Sequence, residues 1–187
     1  MNVILIGPPG CGKGTQAQII STKYNLFKVS TGDMLREEIK KDTEIGKKII
    51  KNMNHGKFVE DEIVNNLLKK IIFDSNKMNK LIFDGYPRTI NQAKNLENLL
   101  NKSNQKIDFI FFLNVDKDGI IKRIQRRKIL EKRSDDDSDT ILKRYDTYVE
   151  ITKPVLEYYS NNQNFHELDG SMEINDISQK IDEILKV

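Results

Sequence analysis

The hydrophobic residues of this chain fall into short continuous runs, separated by longer stretches in which they recur every three or four positions. Such runs are typical of buried strands, and a spacing of three and four is typical of helices that pack on one face. Strands that alternate with helices favour right-handed crossovers and a parallel sheet covered on both faces. We therefore predict an α/β fold with three α/β/α layers and a five-stranded parallel sheet. The predicted strands are 3–6, 26–29, 81–83, 108–114 and 165–168.

The stretches between the strands predict the helices. The first helix is expected from Gln16, and 60–73 has the period of a helix packed on the core. A long helix is expected over 140–159, with Pro154 as a candidate kink. Residues 30–59 contain two short predicted helices and form a small helical insertion between segments that contain strands.

The turn between the first strand and the first helix, residues 7–15, has the sequence Gly-Pro-Pro-Gly-Cys-Gly-Lys-Gly-Thr. Glycines let backbone N–H groups crowd around an anion, the helix N-terminus adds partial positive charge, and Lys13 adds a full one. The turn matches seven of the eight P-loop positions, with Gly14 in place of the Ser or Thr that ligates Mg²⁺. We therefore expect a nucleoside triphosphate here, with Mg²⁺ held mainly by phosphates and waters.

Composition narrows the class of protein. A length of 187 residues suits one domain with small insertions, and a net charge of +3 is too small to indicate nucleic acid as a partner. No apolar run approaches a membrane span, and the first six residues already form a core strand, which leaves no room for a signal peptide. The single cysteine, Cys11, excludes an internal disulfide and a zinc site with several cysteines. We expect a cytoplasmic protein with no nucleic-acid or membrane partner.

Arginine is scarce, with seven residues against 24 lysines. Since Lys serves wherever bare charge suffices, Arg should mark places that need its planar fork for phosphate or carboxylate. Arg88 follows a predicted strand end, which suits a phosphate clamp. Arg123 and Arg127 are four residues apart, so a helix would place both on one face, where an anion would join them. A solvated basic face is the alternative for this pair. The basic and then acidic stretch 122–137 is interpreted as a flap that closes over phosphates.

Two carboxylates are candidates for the water shell of Mg²⁺. Asp84 ends an apolar strand, where a carboxylate is costly without a partner. Asp33 is the weaker candidate, and a helix cap is the alternative for both residues, as is a salt bridge for Asp84. His55 and His166 show no metal spacing. Residues 7–15, Thr31, 84–88 and 169–170 all follow predicted strand ends, so they should meet in one crevice at the carboxyl edge of the sheet.

No Ser-His-Asp arrangement and no candidate general base accompanies these cations. A hydroxyl acceptor would need a base, whereas a phosphate acceptor is already anionic at neutral pH and needs only positioning. Catalysis would then consist of aligning two phosphates and neutralising the developing charge. The pattern therefore predicts phosphoryl transfer to a phosphate.

Four motifs in this order resemble the adenylate kinase family over essentially the whole chain. They are 7–15, the Ser-Thr-Gly-Asp-Met-Leu-Arg of 30–36, the Asp-Gly-Tyr-Pro-Arg-Thr of 84–89, and Arg133-Ser-Asp-Asp with Arg144. The resemblance implies reversible transfer between Mg-ATP and AMP to give two ADP, with a role in adenine nucleotide homeostasis. It also implies no zinc, because the lid is short and lacks the four-cysteine insertion of some relatives, and the expected state is a monomer.

The resemblance also implies a division of the chain. The core would comprise 1–29, 60–125 and 138–187, with an AMP-binding subdomain over 30–59 and a short lid over 126–137. The implied residues of the AMP site are Thr31, Arg36, Lys57, Phe58, Val59, Gly85, Tyr86, Pro87, Arg88, Gln92, Arg133 and Arg144. Those of the ATP site are Gly10, Cys11, Gly12, Lys13, Gly14, Thr15, Arg123, Met172 and either Arg126 or Arg127, of which the spacing from Arg123 favours Arg127. The groups around the transferred phosphoryl are Lys13, Arg88, Arg123, Arg133 and Arg144.

Three other functions remain to be weighed. A kinase for UMP and CMP would share the scaffold, but such relatives usually carry Ala at the position of Thr31 and Asn at that of Thr89. A regulatory nucleotide switch should carry a guanine-reading Asn-Lys-x-Asp motif, and the nearest segment, 114–118, does not fit. An RNA-binding module has little support, because the basic stretch 122–137 has no interleaved aromatic residues.

Overall fold

The computed structural model describes residues 1–55, 57–131 and 138–186, and for 125–131 and 138–141 it describes the backbone alone. In these ranges a five-stranded sheet has the order β2-β3-β1-β4-β5, and every neighbouring pair is parallel. Helices flank the sheet, so the predicted α/β class is confirmed. The strands are β1 (Asn2–Ile6), β2 (Phe27–Ser30), β3 (Leu81–Asp84), β4 (Phe109–Asn114) and β5 (Phe165–Asp169).

The helices lie close to their predicted positions, and two short segments join them. The short segments are a 3₁₀ turn at Ser75–Lys77 and a π-helical turn at Tyr148–Thr152. The helices are α1 (Lys13–Tyr24), α2 (Thr31–Lys40), α3 (Glu44–Asn54), α4 (Asp61–Ile72), α5 (Ile90–Lys102), α6 (Lys117–Glu131), α7 (Ser138–Thr147), α8 (Lys153–Ser160) and α9 (Ile174–Leu185). None of these helices, within the ranges described, is long and apolar enough to cross a membrane.

Strand β1 supplies side chains to two separate hydrophobic cores, because successive residues of a strand point to opposite faces of the sheet. Ile4 and Ile6 face one core, which α2 to α5 and α8 cover. Val3 and Leu5 face the other, which α1, α6 and α9 cover. The continuous apolar run of β1 is thus explained by burial on both faces.

Two element predictions are wrong in detail. Helix α1 begins at Lys13 rather than Gln16, because Gly12 adopts a left-handed conformation and serves as its N-cap. The helix predicted over 140–159 is interrupted by the π-helical turn, directly ahead of Pro154. Proline lacks an N–H group and its ring clashes with the carbonyl four residues earlier, which explains why the regular α-helical pattern stops here.

Candidate active site

A cleft of about 880 Å³ opens at the carboxyl ends of β1, β2 and β3. The loop after β1, the start of α2 and the loop after β3 form its walls, as the topology of parallel sheets predicts for a ligand site. The candidate residues from sequence that border it are Gly10, Cys11, Gly12, Lys13, Gly14, Thr15, Thr31, Asp33, Arg36, Lys57, Phe58, Val59, Asp84, Gly85, Tyr86, Pro87, Arg88, Gln92, Arg123, Arg144 and Met172. Arg133 lies outside the described residues, and so do the side chains of Arg126 and Arg127.

The turn of residues 7–15, between β1 and the start of α1, is the predicted phosphate loop, and its shape depends on several glycines, Gly10 and Gly12 among them. Gly12 has φ +104°, and Gly10 has φ +82° with Ile124 Cγ1 at 2.5 Å from the place a Cβ would occupy. L-residues with a side chain rarely adopt such angles, so any other residue here would strain the turn. Lys13 lies over this loop, and its Nζ donates to the carbonyls of Gly7 and Pro8 at 2.8 Å each. The loop therefore combines an exposed helix N-terminus with an ammonium group, as a phosphate site requires.

Three of the scarce arginines, Arg36, Arg88 and Arg144, line this cleft and form its arginine wall. The pKa of Arg88 is lowered to about 10, mainly by burial and in addition by the positive charges of Arg144 and Arg36, whereas Asp84 works to raise it. Guanidinium groups that disfavour one another in a half-buried site are costly unless an anion joins them. A multiply charged anion such as phosphate would offset this repulsion.

Arg88 is held in place by contacts with the loop that follows β3. Its Nε donates to the carbonyl of Gly85 at 2.7 Å, and the same oxygen accepts from Thr31 Oγ1 at 2.9 Å. The ring of Phe58 lies 5.5 Å from the guanidinium carbon, in cation–π contact. The peptide bond between Tyr86 and Pro87 in this loop is cis. The Arg88 fork is thus oriented by Gly85 and Phe58, and Thr31 anchors the carbonyl to which Arg88 donates.

The side chain of Tyr86 points mainly away from the cleft. It is 1 % exposed, packs in the core, and its hydroxyl donates to Asn65 Oδ1 at 2.8 Å. Burial raises the pKa of this phenol to about 12, with Asn95 lowering it and Asp61 raising it. At neutral pH Tyr86 is therefore a neutral packing residue.

Arg123 joins two loops at the other end of the cleft. Its Nη1 donates to the carbonyl of Cys11 at 3.1 Å and its Nη2 to the carbonyl of Ser171 at 3.3 Å. The first carbonyl belongs to the loop after β1 and the second to the loop after β5. Met172, which borders the cleft, follows directly in that second loop. The predicted triphosphate end of the cleft is thus tied together by one arginine.

The two carboxylates proposed for Mg²⁺ have different surroundings. Asp84 Oδ2 lies 3.3 Å from the position that a Cβ of Gly14 would take, so this carboxylate sits directly against the phosphate loop. Asp33 is exposed and pairs with Arg36 at 2.5 Å and with Lys28 at 3.8 Å. Burial works to raise the pKa of Asp33, but the hydrogen bond and charge of Arg36 outweigh it and lower the pKa. Across the described residues no group of three or more His, Cys, Asp or Glu side chains is placed to hold a metal directly.

One side chain that supports the site was missed from sequence. Asp61, the first residue of α4, accepts a hydrogen bond from Gln92 Nε2 at 2.5 Å. Gln92 Oε1 in turn accepts from the backbone N–H of Arg88 at 2.8 Å. Acidic residues are common in the first turn of any helix, so the sequence offered no signal that would single out Asp61.

Comparison with known proteins agrees with this site. A sequence model of the family described as adenylate kinase matches residues 5–164. The adenylate kinase of Pelagibacter ubique (strain HTCC1062) is 48% identical over 213 aligned residues, with 100% of both chains covered. The adenylate kinase of Bartonella henselae is 40% identical over 192 aligned residues, again with 100% of both chains covered. That of Mycoplasma mycoides subsp. mycoides is 41% identical over 195 aligned residues, covering 90% of this chain and 91% of its own.

The family match spans most of the chain, and it includes the phosphate loop and the arginine wall. The resemblance drawn from the four motifs is therefore confirmed. With a phosphate cradle facing clustered arginines in one cleft, this chain belongs to the adenylate kinase family and is a nucleoside monophosphate phosphotransferase.

Proposed function

We propose that this chain catalyses the reversible, Mg²⁺-dependent transfer of a phosphoryl group from ATP to AMP to give two ADP, and thereby balances the adenine nucleotides. The observation that carries the proposal is that Arg36, Arg88 and Arg144 line the same cleft as Lys13. Two anionic groups placed between these cations would lie end to end. The relatives named above, all adenylate kinases, support the same reaction.

The donor triphosphate would bind at the loop after β1. Backbone N–H groups of residues 10–15 would face its phosphates, and Lys13 would exchange its carbonyl partners for phosphate oxygens. Arg123, which already spans Cys11 and Ser171, would stabilise charge on the phosphoryl in transit. Arg127 and Met172 complete the proposed ATP site.

The acceptor monophosphate would bind between α2 and the loop after β3. Arg36 and Arg88 would bind its phosphate, since both guanidinium groups border the cleft. Arg88 is linked to the start of α2, because it and Thr31 donate to the same carbonyl oxygen of Gly85. Residues 57–59 and Gln92 would surround the nucleoside. Arg144, together with Arg133, would neutralise the developing charge, and no base is required because the acceptor oxygen is already anionic.

Asp84 fits the role of orienting Mg²⁺ through water better than Asp33 does. Its carboxylate lies against the phosphate loop at Gly14, where oxygen ligands suit this hard cation, whereas Asp33 is engaged by Arg36 and Lys28. When bound with ATP, Mg²⁺ supplies charge neutralisation at the phosphates. Asp84 would hold its water shell in register with the loop, and no zinc is proposed.

The division of the chain remains part of this proposal. Residues 30–59, which include α2 and α3, would be the AMP-binding subdomain, and the core would comprise 1–29, 60–125 and 138–187. The lid is proposed over 126–137, of which 132–137 lie outside the described residues. Closure would exclude water, which would otherwise accept the phosphoryl group. We further propose a cytoplasmic monomer with no nucleic-acid or membrane partner.

A test of the reaction is product formation from Mg-ATP with AMP, CMP, UMP or GMP as the acceptor. We expect ADP from ATP and AMP without any partner protein, and much slower turnover with CMP and UMP. Preferential use of CMP or UMP would instead favour the pyrimidine kinase alternative. Binding of nucleotide without turnover would contradict the proposed reaction altogether.

A further inference from the structure

The buried amide of Gln92 lies between two groups of opposite hydrogen-bonding character. Gln92 is 4 % exposed, its Nε2 donates to Asp61 Oδ1 at 2.5 Å, and its Oε1 accepts from the Arg88 N–H at 2.8 Å. A carboxylate only accepts and a backbone N–H only donates, so one orientation of the amide satisfies both and the flipped orientation satisfies neither. The contact with Asp61 is charge-assisted and therefore the stronger of the two.

Each end of the amide retains one further hydrogen-bonding position. Nε2 has a second N–H, and Oε1 has a second lone pair. Of the residues that the structure describes, Gln92 borders the cleft, whereas Asp61 does not. The fixed amide therefore presents one donor and one acceptor in a defined order to whatever occupies this part of the cleft.

Nucleobases form two sets according to the order of donor and acceptor on the edge that would face this amide. Adenine and cytosine carry an exocyclic amino donor beside a ring-nitrogen acceptor, whereas guanine, hypoxanthine and uracil carry an exocyclic oxygen beside a ring N–H donor. If the donor and acceptor of the amide are fixed in place, the amide can pair with only one of these two sets of bases for a given orientation of the base. If the amide could turn over, it would match either.

We propose that Asp61 is a specificity-determining positioning residue, which locks the Gln92 amide so that the acceptor site selects an amino base over an oxo base. This inference rests on the proposed function, in which Gln92 borders the nucleoside of the acceptor. Asp61 acts from behind Gln92 and touches no substrate. The backbone N–H of Arg88 is the second lock on the same amide, and it couples the base-reading group to the segment that carries the phosphate clamp.

The decisive variant is Asp61→Asn, tested with AMP and inosine monophosphate. The two nucleotides have the same size and differ in the order of donor and acceptor at the base edge. Asn at position 61 can offer either oxygen or NH₂ to Gln92, so the charge-assisted lock is lost. We expect the ratio of kcat/KM for AMP to that for inosine monophosphate to fall about tenfold or more. The change should reside in the KM of the acceptor, with the KM of ATP unaltered.

Glu62→Gln is the matched control, because Glu62 is an exposed acid in the same first turn of α4. It removes the same charge near the helix N-terminus without touching Gln92, so the ratio should remain that of the unmodified chain. The combination Asp61→Asn with Gln92→Ala supplies a second readout. Once the amide is gone, the substitution at Asp61 should no longer change the ratio.

The possible results separate the two proposals. An unchanged ratio in Asp61→Asn, with transfer to AMP intact, would overturn the role of Asp61, as would an equal loss with both acceptors. Absence of transfer to AMP in the unmodified chain would instead overturn the proposed function. If Asp61→Asn does not fold, Asp61→Ser is measured in its place, since a hydroxyl can likewise donate or accept.

Discussion

Thr31 and Arg88 meet at a single carbonyl oxygen, that of Gly85, which accepts from Thr31 Oγ1 at 2.9 Å and from Arg88 Nε at 2.7 Å. Thr31 begins α2, and Gly85 follows β3. One backbone oxygen therefore joins the small helical segment to the guanidinium that we propose as the clamp. Substitution of Thr31 or of Arg88 should therefore alter binding of the acceptor phosphate.

Replacing Thr31 by Val keeps the shape of the side chain and removes the donor. We expect a loss of about 1 kcal/mol in the free energy of unfolding, a typical value for a part-buried hydrogen bond. The transfer rate with AMP should fall several-fold, because Gly85 and Arg88 lose a common anchor. Denaturant titration and steady-state kinetics measure the two effects. Thr31→Ser, which retains the hydroxyl, should behave like the unmodified chain, and equal behaviour of both variants would refute the role of this contact.

Arg88→Lys should retain the fold and lose most of the transfer rate. The ammonium keeps the charge but lacks the planar fork, so it cannot hold a phosphate with two parallel hydrogen bonds while a third nitrogen donates to Gly85. We expect kcat to fall by about 10²-fold or more, as for loss of a donor to transition-state charge. Initial rates at saturating ATP and AMP measure the change, and an unaltered melting temperature serves as the control for folding. Near-normal turnover would rule out the clamp.

Two of the glycines in the phosphate loop, Gly10 and Gly12, should differ in their sensitivity to alanine. Gly12→Ala should cost about 1–2 kcal/mol in the free energy of unfolding, from the positive φ alone. Gly10→Ala should cost more, because its Cβ would also meet Ile124 Cγ1 at 2.5 Å. Both variants should bind ATP more weakly. Chemical denaturation of the pair gives the comparison, and a larger loss in Gly12→Ala would mean that the contact with Ile124 relaxes freely.

The ion pair between α1 and α9 should make stability depend on pH. Burial works to raise the pKa of Asp182, but hydrogen bonds from Lys23 and Tyr24 outweigh it and lower the pKa. Since the folded-state pKa lies below the unfolded value, the stabilisation is present above about pH 4 and is lost as the pH falls through the folded-state pKa. Asp182→Asn should therefore cost about 1 kcal/mol or less at pH 7, because Lys23 is half exposed, and the difference should vanish in acid.

Urea titrations of the two chains from pH 7 to pH 3 measure this difference. Glu183→Gln provides the control, since Glu183 is an exposed acid on the same helix. A difference for Asp182→Asn that stays constant down to pH 3 would mean that packing, not charge, stabilises this contact.

Much of the fold could be predicted because its signals are local. The apolar runs of the strands and the helical spacing of 60–73 depend on neighbours in sequence, and the structure has β3 and α4 within a residue of the prediction. The sequence indicated a kink at Pro154, but it did not reveal that the irregularity would be a π-helical turn over 148–152. The start of α1 depended on the conformation of Gly12, which a sequence pattern does not reveal.

The sequence by itself determined the phosphate loop, because its glycines and Lys13 are consecutive and carry their chemistry in one turn. It also identified the arginines as candidate phosphate-binding residues, because a chain rich in lysine should use arginine where the planar guanidinium is needed. Only the tertiary structure decided which of them meet. Arg36, Arg88 and Arg144 line one cleft, and Gln92 bonds to Asp61, although these residues are far apart in the chain. Their proximity follows from how the helices pack on the sheet.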